Sequence, residues 1–598
     1  MPFEPLFRDL NELFQRSVAQ YSERPLFGTK RRGTWTWTSY ADFGRDVDAL
    51  RAGLASIGVT AGDRVAIISD NRVEWAVLAY ATYGLGAAYV PMYEAQRADE
   101  WRYILADCGA RVLFVADSKI ASEFTQLRAE LPALEHLVTL APRAEHADST
   151  YDALREQGRR NAVSIVPAQA TTPATFLYTS GTTGQPKGVI LSHANLALNV
   201  SAVHEVFPMA PEDRSLSFLP WAHSFGQTVE LHGLLSMGAS IGIVESVDTI
   251  LPNLAEVQPT LLFSVPRIYN RIYDSVHKKV AAEGGAKAEL FRRAQANTQL
   301  RTELAGRNQV SGWADLQHIF FDRVVYAPIR ARFGGKLKYA FSGGAAMSRE
   351  VAEFVDGLGI TVYEGYGLTE TSPIATMNYP GSRKIGSVGK VLPGVRIEID
   401  RSVTDDPKHG EVLIFGHNVM LGYHGLPEAE AAIFVERNGE RGLRSGDMGY
   451  LDGEGFLHIT GRIKEQYKLL NGKYVVPTPL EEQLKLSPYI SNLMIHGANQ
   501  SFNVAVIVPD FDVLLPWCAQ HGVLATPEEA IADPRVTALF ERELDRQSGS
   551  FRQFEKVRAF LLVTEEFSTE NGMLTPTLKV RRSQVRAVYG DRLDALYA

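Results

Sequence analysis

Short apolar runs alternate with longer amphipathic segments through the first two-thirds of the chain. The runs span residues 64–69, 87–92, 110–116 and 174–180, and turn-forming residues bound them. Runs of this length predict buried strands, whereas the segments between them, such as 74–84 and 98–109, have the length of helices. Strand–helix alternation of this kind predicts layered α/β structure with parallel sheets.

One stretch, residues 75–93, contains no charged residue and is long enough to span a bilayer. It also contains several tyrosines and glycines, and its second half, AAYVPM, has the pattern of a strand. We therefore predict a buried helix followed by a parallel strand, in a soluble protein. The N-terminal sequence carries acidic residues where a signal peptide needs a basic start.

The pattern changes twice further along the chain. Between Arg267 and Arg332 it becomes helical and basic, and apolar residues at 268, 272, 276 and 280 form one stripe. A layer packed on a sheet and a special role for these helices both remain open. After Val391, short strands and turns predict a small antiparallel, barrel-like subdomain. From Arg462 onward the pattern is α+β, so we predict domains at 1–461 and 462–598.

Composition limits the function classes. The 598 residues are 45% hydrophobic and 22% charged, which is ordinary for globular proteins. With 61 Lys and Arg against 69 Asp and Glu, the net charge is −8, so there is no bulk attraction to nucleic acid or anionic lipid and any anion site is local. Cys108 and Cys518 are too few for a disulfide framework or a structural zinc site, which fits a reducing, cytoplasmic compartment.

The strongest chemical signal follows the apolar run at 174–180. The segment TSGTTGQPKG, residues 179–188, combines glycines, hydroxyls and Lys187. Glycines allow backbone N–H groups to curl around an anion, and the lysine adds a mobile positive charge. This composition suits a triphosphate. The segment is not a Walker A loop, because Gly188 follows the lysine where that motif has Ser or Thr.

TSGTTGQPKG resembles the AMP-binding signature of the adenylate-forming superfamily, which includes acyl-CoA synthetases, peptide-synthetase adenylation domains and luciferases. Later motifs of that superfamily are matched in the same order by YGLTE (366–370), LRSGD (443–447), the segment 461–464 and TPTLK (575–579). The resemblance covers nearly the whole chain. It implies a large N-terminal α/β domain followed by a small mobile α+β domain that swings about Lys464.

The resemblance assigns roles residue by residue. Tyr366 stacks on adenine, Asp447 binds both ribose hydroxyls, and Lys579 neutralises charge that grows between the carboxylate and the α-phosphate. The implied catalytic residues are Lys579, His223, Glu370 and Thr182, and the last two also hold Mg²⁺. The implied nucleotide- and coenzyme-binding residues are Thr179, Ser180, Gly181, Thr183, Gly184, Lys187, Gly343, Gly344, Ala345, Glu364, Gly365, Tyr366, Gly367, Thr369, Asp447, Arg462, Lys464 and Lys468.

Three features resemble the long-chain fatty acid–CoA ligases in particular. These are VPRIYNRIYD with the helical stretch after it, NGKYV at 471–475, and Thr-Leu before Lys579. Two positions depart from the pattern. Pro479 stands where many members have a glutamate, and Gln227 stands where some long-chain enzymes have a tryptophan that gates the acyl tunnel. The gating mechanism and the preferred chain length therefore stay open.

The resemblance implies a two-step ligase that uses ATP, Mg²⁺ and coenzyme A. A medium- to long-chain fatty acid forms acyl-AMP, and the thiol of coenzyme A then displaces AMP. Three rivals remain: an acyl-AMP ligase that delivers to a carrier protein, a luciferase-like oxidation, and a catalytically silent sensor. The sequence predicts neither a nucleic-acid partner nor an obligate protein partner, and it leaves peripheral contact with the inner face of the membrane open.

Overall fold

A computed structural model describes residues 3–179, 185–307, 309–404, 406–523, 526–575 and 578–597. Within these ranges the chain is a mixed α/β protein with three large sheets, a three-stranded sheet near the C-terminus and a two-stranded ribbon. The helices are Leu10–Gln20, Tyr40–Ser56, Val73–Gly84, Ala98–Cys108, Ser118–Leu127, Tyr151–Gly158, His193–Val206, Gly233–Met237, Ile250–Val257, Pro266–Glu283, Gly285–Gly306, Gly312–Phe321, Ala327–Ala331, Arg349–Gly357, Pro427–Ile433, Pro477–Leu484, Phe511–Gln520, Pro527–Ala532, Pro534–Gln547 and Arg582–Asp594.

The first large sheet contains the strands that the apolar runs predict. In spatial order its strands are Gly422–Tyr423, Lys187–Ser192, Pro173–Thr179, Ala88–Met92, Arg64–Ile68, Val112–Val115, His136–Thr139 and Ser149–Thr150. Most neighbours pair in parallel, which confirms the α/β prediction. The uncharged stretch forms the buried helix Val73–Gly84 and the buried strand Ala88–Met92, as predicted. In the described part of the chain, no helix has the length and apolar character needed to cross a bilayer.

The second large sheet has nine strands. In spatial order they are Lys390–Val391, Ile374–Met377, Val362–Gly367, Tyr339–Ser342, Leu261–Ser264, Arg214–Ser217, Ser240–Ile243, Pro25–Arg31 and Thr34–Ser39. Its central strands are parallel; one ends directly before the predicted binding motif at 343–345, and another ends within the YGLTE motif. The carboxyl ends of parallel strands are where open α/β sheets bind ligands, so the topology brings both motifs to one edge.

The third sheet is the predicted antiparallel subdomain. Its strands are Val395–Asp400, Gly410–Gly416, Glu440–Leu451 and Phe434–Arg437, with Leu457–Arg462 paired to Glu440–Leu451. Its register places Asp447 opposite Arg462. Two predicted site residues that lie 15 positions apart in sequence therefore face each other across one ladder.

The C-terminal region builds its own cores. Its sheet contains Ile490–His496, Asn503–Pro509 and Val557–Leu562, and the ribbon pairs Tyr467–Lys468 with Tyr474–Val475. Two hydrophobic clusters consist only of residues from 467 onward, whereas the clusters of the first three sheets take one residue, Leu486, from this region. The described C-terminal residues thus bury most of their apolar surface among themselves.

Candidate active site

The signature loop joins two antiparallel strands. Thr179 at the end of one strand pairs with Lys187 at the start of the next, so the loop is the turn of a hairpin rather than the strand-to-helix turn of a P-loop. Five predicted residues of this loop, Ser180, Gly181, Thr182, Thr183 and Gly184, lie outside the described residues. The ammonium of Lys187 lies 5.0 Å from the ring centroid of Tyr423.

The predicted nucleotide site, here called the nucleotide floor, is formed by the strand Val362–Gly367 and the barrel-like sheet. The Tyr366 hydroxyl donates a hydrogen bond of 2.8 Å to Oδ2 of Asp447, and Nε of Arg462 lies 3.1 Å from Oδ1 of the same carboxyl. Burial raises the pKa of Asp447, and the Arg462 guanidinium opposes that shift. The two oxygens of one buried carboxyl thus hold both neighbours in place.

Close backbone packing requires glycine around this floor. A Cβ added to Gly367 would lie 1.6 Å from the carbonyl oxygen of Pro373, and Gly344 has φ +80° in the left-handed region. Gly343 packs against the ring of Phe225. Gly344 and Ala345 follow the strand Tyr339–Ser342 and are exposed, so this end of the floor is open to solvent.

The predicted magnesium ligand has partners from other segments. Oε1 of Glu370 accepts a hydrogen bond of 2.8 Å from the Tyr423 hydroxyl, and the Thr369 hydroxyl lies 3.3 Å from that of Ser224. Tyr423 belongs to the strand that pairs with the signature hairpin. It therefore connects the hairpin lysine to Glu370.

His223 is a neutral group at the edge of the cleft. Burial, reinforced by the nearby Lys579 cation, lowers the pKa of His223 to about 4. Its Nδ1 accepts the N–H of Phe225 at 3.2 Å, which leaves the proton of the neutral ring on Nε2. One turn later, Gln227 is fully buried, and its side-chain amide has no hydrogen-bond partner within the described residues.

Lys579 reaches the cleft from the C-terminal region. Lys579 is an exposed residue, but the protein atoms around its ammonium displace enough water to lower its pKa; Arg462 acts in the same direction, and Asp447, Glu465 and Glu370 oppose the shift. Its backbone N–H donates to Oγ1 of Thr575 at 3.1 Å. The structure thus brings the predicted lysine to the predicted nucleotide site.

Two predicted residues lie apart from this group. Lys464 and Lys468 are both exposed. The ammonium of Lys468 lies 5.4 Å from the ring centroid of Tyr474. Neither lysine makes a hydrogen bond or an ion pair with the cleft residues among those that the structure describes.

Glu364 lies in the same strand as Tyr366. Burial raises the pKa of Glu364 to about 7, although the backbone N–H of Met347 donates a hydrogen bond to it and opposes the shift.

Comparison with known proteins decides the family. The AMP-binding enzyme family matches residues 14–424. The chain belongs to this family. It is 33% identical over 578 residues to the long-chain-fatty-acid–CoA ligase FadD15 of Mycobacterium bovis, with 94% of this chain and 93% of the relative covered. It is 30% identical to the peroxisomal long chain acyl-CoA synthetase 7 of Arabidopsis thaliana, with 100% of this chain and 87% of the relative covered.

Solved structures share the fold of this family member. The adenylation domain of a carboxylate reductase from Mycobacterium chelonae matches with a TM-score of 0.80 at 22% identity, over 99% of this chain and 92% of that one. ATP-bound MatB from Rhodopseudomonas palustris matches with a TM-score of 0.69 at 23% identity, over 98% of this chain and 100% of that one. These matches confirm the predicted fold class.

Sequence reasoning missed three residues: Ser224 and Tyr423, which contact predicted site residues, and Glu100, which contacts the segment that carries Lys579. Tyr423 lies in the two-residue strand Gly422–Tyr423, which has no pattern of its own. Glu100 lies in a surface helix and forms an ion pair of 3.2 Å with Arg581, two residues beyond Lys579. Only Ser224 had a local signal, since it follows His223 directly. The other two depend on long-range pairing that a single sequence does not reveal.

Proposed function

We propose that this protein is an AMP-forming long-chain fatty acid–CoA ligase. In the first step an oxygen of the fatty carboxylate attacks the α-phosphorus of ATP, the bond to pyrophosphate breaks, and acyl-AMP forms. In the second step the thiolate of coenzyme A attacks the acyl carbon, and AMP leaves. The observation that carries the proposal is the convergence of Lys579 with Tyr366, Asp447 and Glu370 in one cleft.

Each residue of the cleft has a physical role in the first step. The Tyr366 ring offers a face for adenine, and the paired Asp447 and Arg462 offer hydrogen-bond groups for the ribose. Lys579 stabilises the negative charge that grows where the carboxylate meets the α-phosphate. Nε2–H of the neutral His223 donates a hydrogen bond at the acyl end of the cleft.

The residues present fit a magnesium ion that arrives with the nucleotide. Glu370 offers a hard carboxylate oxygen, and Mg²⁺ in such sites takes one or two protein ligands and the oxygens of the phosphates. Glu370 together with Thr182 would hold it. When bound, the ion neutralises phosphate charge and so favours the departure of pyrophosphate.

The second step requires the cleft to be rebuilt. We propose that residues 462–598 form a domain that rotates about Lys464, which withdraws Lys579 and brings Lys468 and the loop at 471–473 toward coenzyme A. The separate hydrophobic cores of the C-terminal region support this division. Rotation lets one pocket serve two reactions, and closure excludes water that would hydrolyse the adenylate.

We further propose that the enzyme is cytoplasmic and works in peripheral contact with a membrane.

A product assay tests the proposed function. The full chain receives ATP, Mg²⁺ and palmitate, with and without coenzyme A, and mass spectrometry detects acyl-AMP, AMP and acyl-CoA. We expect rapid formation of acyl-CoA and AMP only when coenzyme A is present. Acyl-AMP that accumulates and does not respond to coenzyme A would favour delivery to a carrier protein instead. No turnover with any fatty acid would overturn the proposed substrate.

A further inference from the structure

A helical segment far along the N-terminal region exposes a row of large apolar side chains. The continuous helical stretch from Gly312 to Ala331 turns Ala314 and Phe321 inward, where they are buried. Its opposite side exposes a stripe with 46% to 68% of each residue accessible to solvent: Trp313, Leu316, Ile319, Phe320 and Val324. A helix that is apolar on two sides normally packs on two sides, so the outer stripe needs a partner.

The helix is firmly attached on its inner side, so the exposed stripe does not come from a loose segment. The amide of Asn297 donates to the carbonyl oxygen of Ala314 at 3.0 Å, and Arg301 forms an ion pair of 2.8 Å with Asp315. Further along, Arg330 pairs with Asp322 at 2.7 Å. Both acidic residues of the helix are therefore neutralised within the protein.

The charge around the stripe is strongly positive. Residues 285–338 contain ten Lys and Arg against four Asp and Glu, a local net charge of +6 in a chain whose total is −8. Arg323 lies inside the stripe, and Arg332 and Lys336 lie exposed beyond the C-terminal end of the helix. These three cations have no ion pair within the described ranges. Exposed, unpaired cations in and beyond an exposed apolar stripe point to an anionic surface.

We propose that the 313–324 stripe is the surface by which this protein docks on an anionic lipid bilayer. The stripe enters the interface with its apolar side chains, Trp313 lies among the headgroups, and the free cations contact anionic lipid. A second copy of the chain fits less well, because a symmetric contact would bring two positively charged patches together. The docking proposal rests on the proposed function in one respect, because a bilayer is where a fatty acid substrate dissolves.

Vesicle co-sedimentation of the full chain tests the docking surface. We expect binding to vesicles of phosphatidylcholine mixed with phosphatidylglycerol, and weaker binding to phosphatidylcholine alone. The stripe variant W313S/I319S/F320S should bind at least about tenfold more weakly, because it loses most of the apolar insertion. The charge variant R323E/K336E should bind the mixed vesicles more weakly by about fivefold for each cation removed. Val588→Ser, which changes another exposed apolar residue, should bind like the parent.

Two further measurements separate the possible failures. Turnover of dissolved octanoate should be the same in the stripe variant and the parent. If the stripe variant unfolds, the charge variant, which retains the apolar side chains, provides a second test. Vesicle binding without fatty acid turnover would leave the surface intact and overturn the proposed function alone. Equal vesicle binding by parent, stripe variant and charge variant would overturn the surface. The docking surface would also be overturned if the parent protein were a dimer and the stripe variant a monomer.

Discussion

The two sides of the catalytic cleft are held in different ways. On the nucleotide side, Tyr366, Asp447 and Arg462 are joined by bonds of 2.8 and 3.1 Å across a paired sheet. On the other side, Lys579 belongs to a loop whose ion pair to the N-terminal region is that of Arg581 with Glu100, at 3.2 Å. We infer from this difference that the proposed nucleotide floor is fixed in advance and that the proposed catalytic cation, Lys579, is delivered to it.

This contrast suits a two-step reaction. On the proposed site assignment, a preorganised floor would keep AMP bound through both steps and avoid a reorganisation cost at each step. Because few charged contacts hold the segment that carries Lys579, this cation can leave the cleft after the first step. Lys278 and Asp510 form another ion pair between the two regions, at 3.4 Å, and it is also partly exposed. Such pairs contribute little to stability, which agrees with the proposed rotation of residues 462–598.

Removal of the delivered cation should have the largest effect. Lys579→Ala should lower the rate of adenylation by at least about 10²-fold, the loss typical of a single electrostatic donor. Exchange of labelled pyrophosphate into ATP measures this step alone. ATP binding, measured separately, should change much less, because the floor remains intact. An unchanged exchange rate would show that the cation has no role in the first step.

A change in the fixed floor should affect nucleotide binding instead. Asp447→Asn keeps the shape but loses the charge that holds Arg462, so kcat/KM for ATP should fall roughly 10- to 100-fold, as expected for hydrogen bonds to a charged group. Asp452→Asn is the matched control, because it removes the ion pair with Lys384 at 2.7 Å on the same sheet. A similar loss in both variants would indicate general damage to the sheet rather than a nucleotide role.

A weaker interface contact should produce a smaller and more selective effect. Glu100→Gln removes the partner of Arg581, and both side chains are only partly buried, so the pair contributes about 1 kcal/mol or less. Adenylation should slow by up to about fivefold, whereas transfer from preformed acyl-AMP should not slow. Glu130→Gln, which breaks the pair with Arg102 within the N-terminal region, serves as the control. Slower transfer in Glu100→Gln would contradict the account.

The pH dependence of adenylation should report the environment of Lys579. Because burial lowers the pKa of its ammonium, the catalytic cation is lost as the pH rises through a value below the usual 10.5. The rate of the parent should therefore fall on the alkaline side at a lower pH than free lysine would titrate. In Lys579→Arg the guanidinium stays charged, so this alkaline fall should move to higher pH or disappear. An alkaline fall at the same pH in both proteins would assign it to another group.

Much of the fold follows from local pattern, and the cleft follows only in part. The apolar runs at 64–69 and 110–116 predict their strands well, because a buried parallel strand has few polar positions. The motif residues Tyr366, Asp447 and Lys579 could be chosen because each lies in a recognisable segment. Glu100 could not, since its role depends on its contact with Arg581, 481 positions away along the chain.

The helical segment shows the same limit. The sequence left a packed layer and a special role equally open for residues 267–332; the structure shows a packed inner face and leaves a second apolar face exposed between 313 and 324. Phe321 packs inward and Phe320, its neighbour, is exposed. Periodicity identifies which residues share a helix face, but it does not show which of two apolar faces packs against the rest of the protein.

The transfer step in Lys579→Ala tests the central claim most directly. Preformed palmitoyl-AMP is supplied with coenzyme A, and the formation of palmitoyl-CoA is followed in the variant and the parent. A cation that is delivered for the first step and withdrawn for the second predicts a transfer rate close to that of the parent, despite the loss of adenylation. A fall in transfer as large as the fall in adenylation would contradict the claim that Lys579 serves the first step alone.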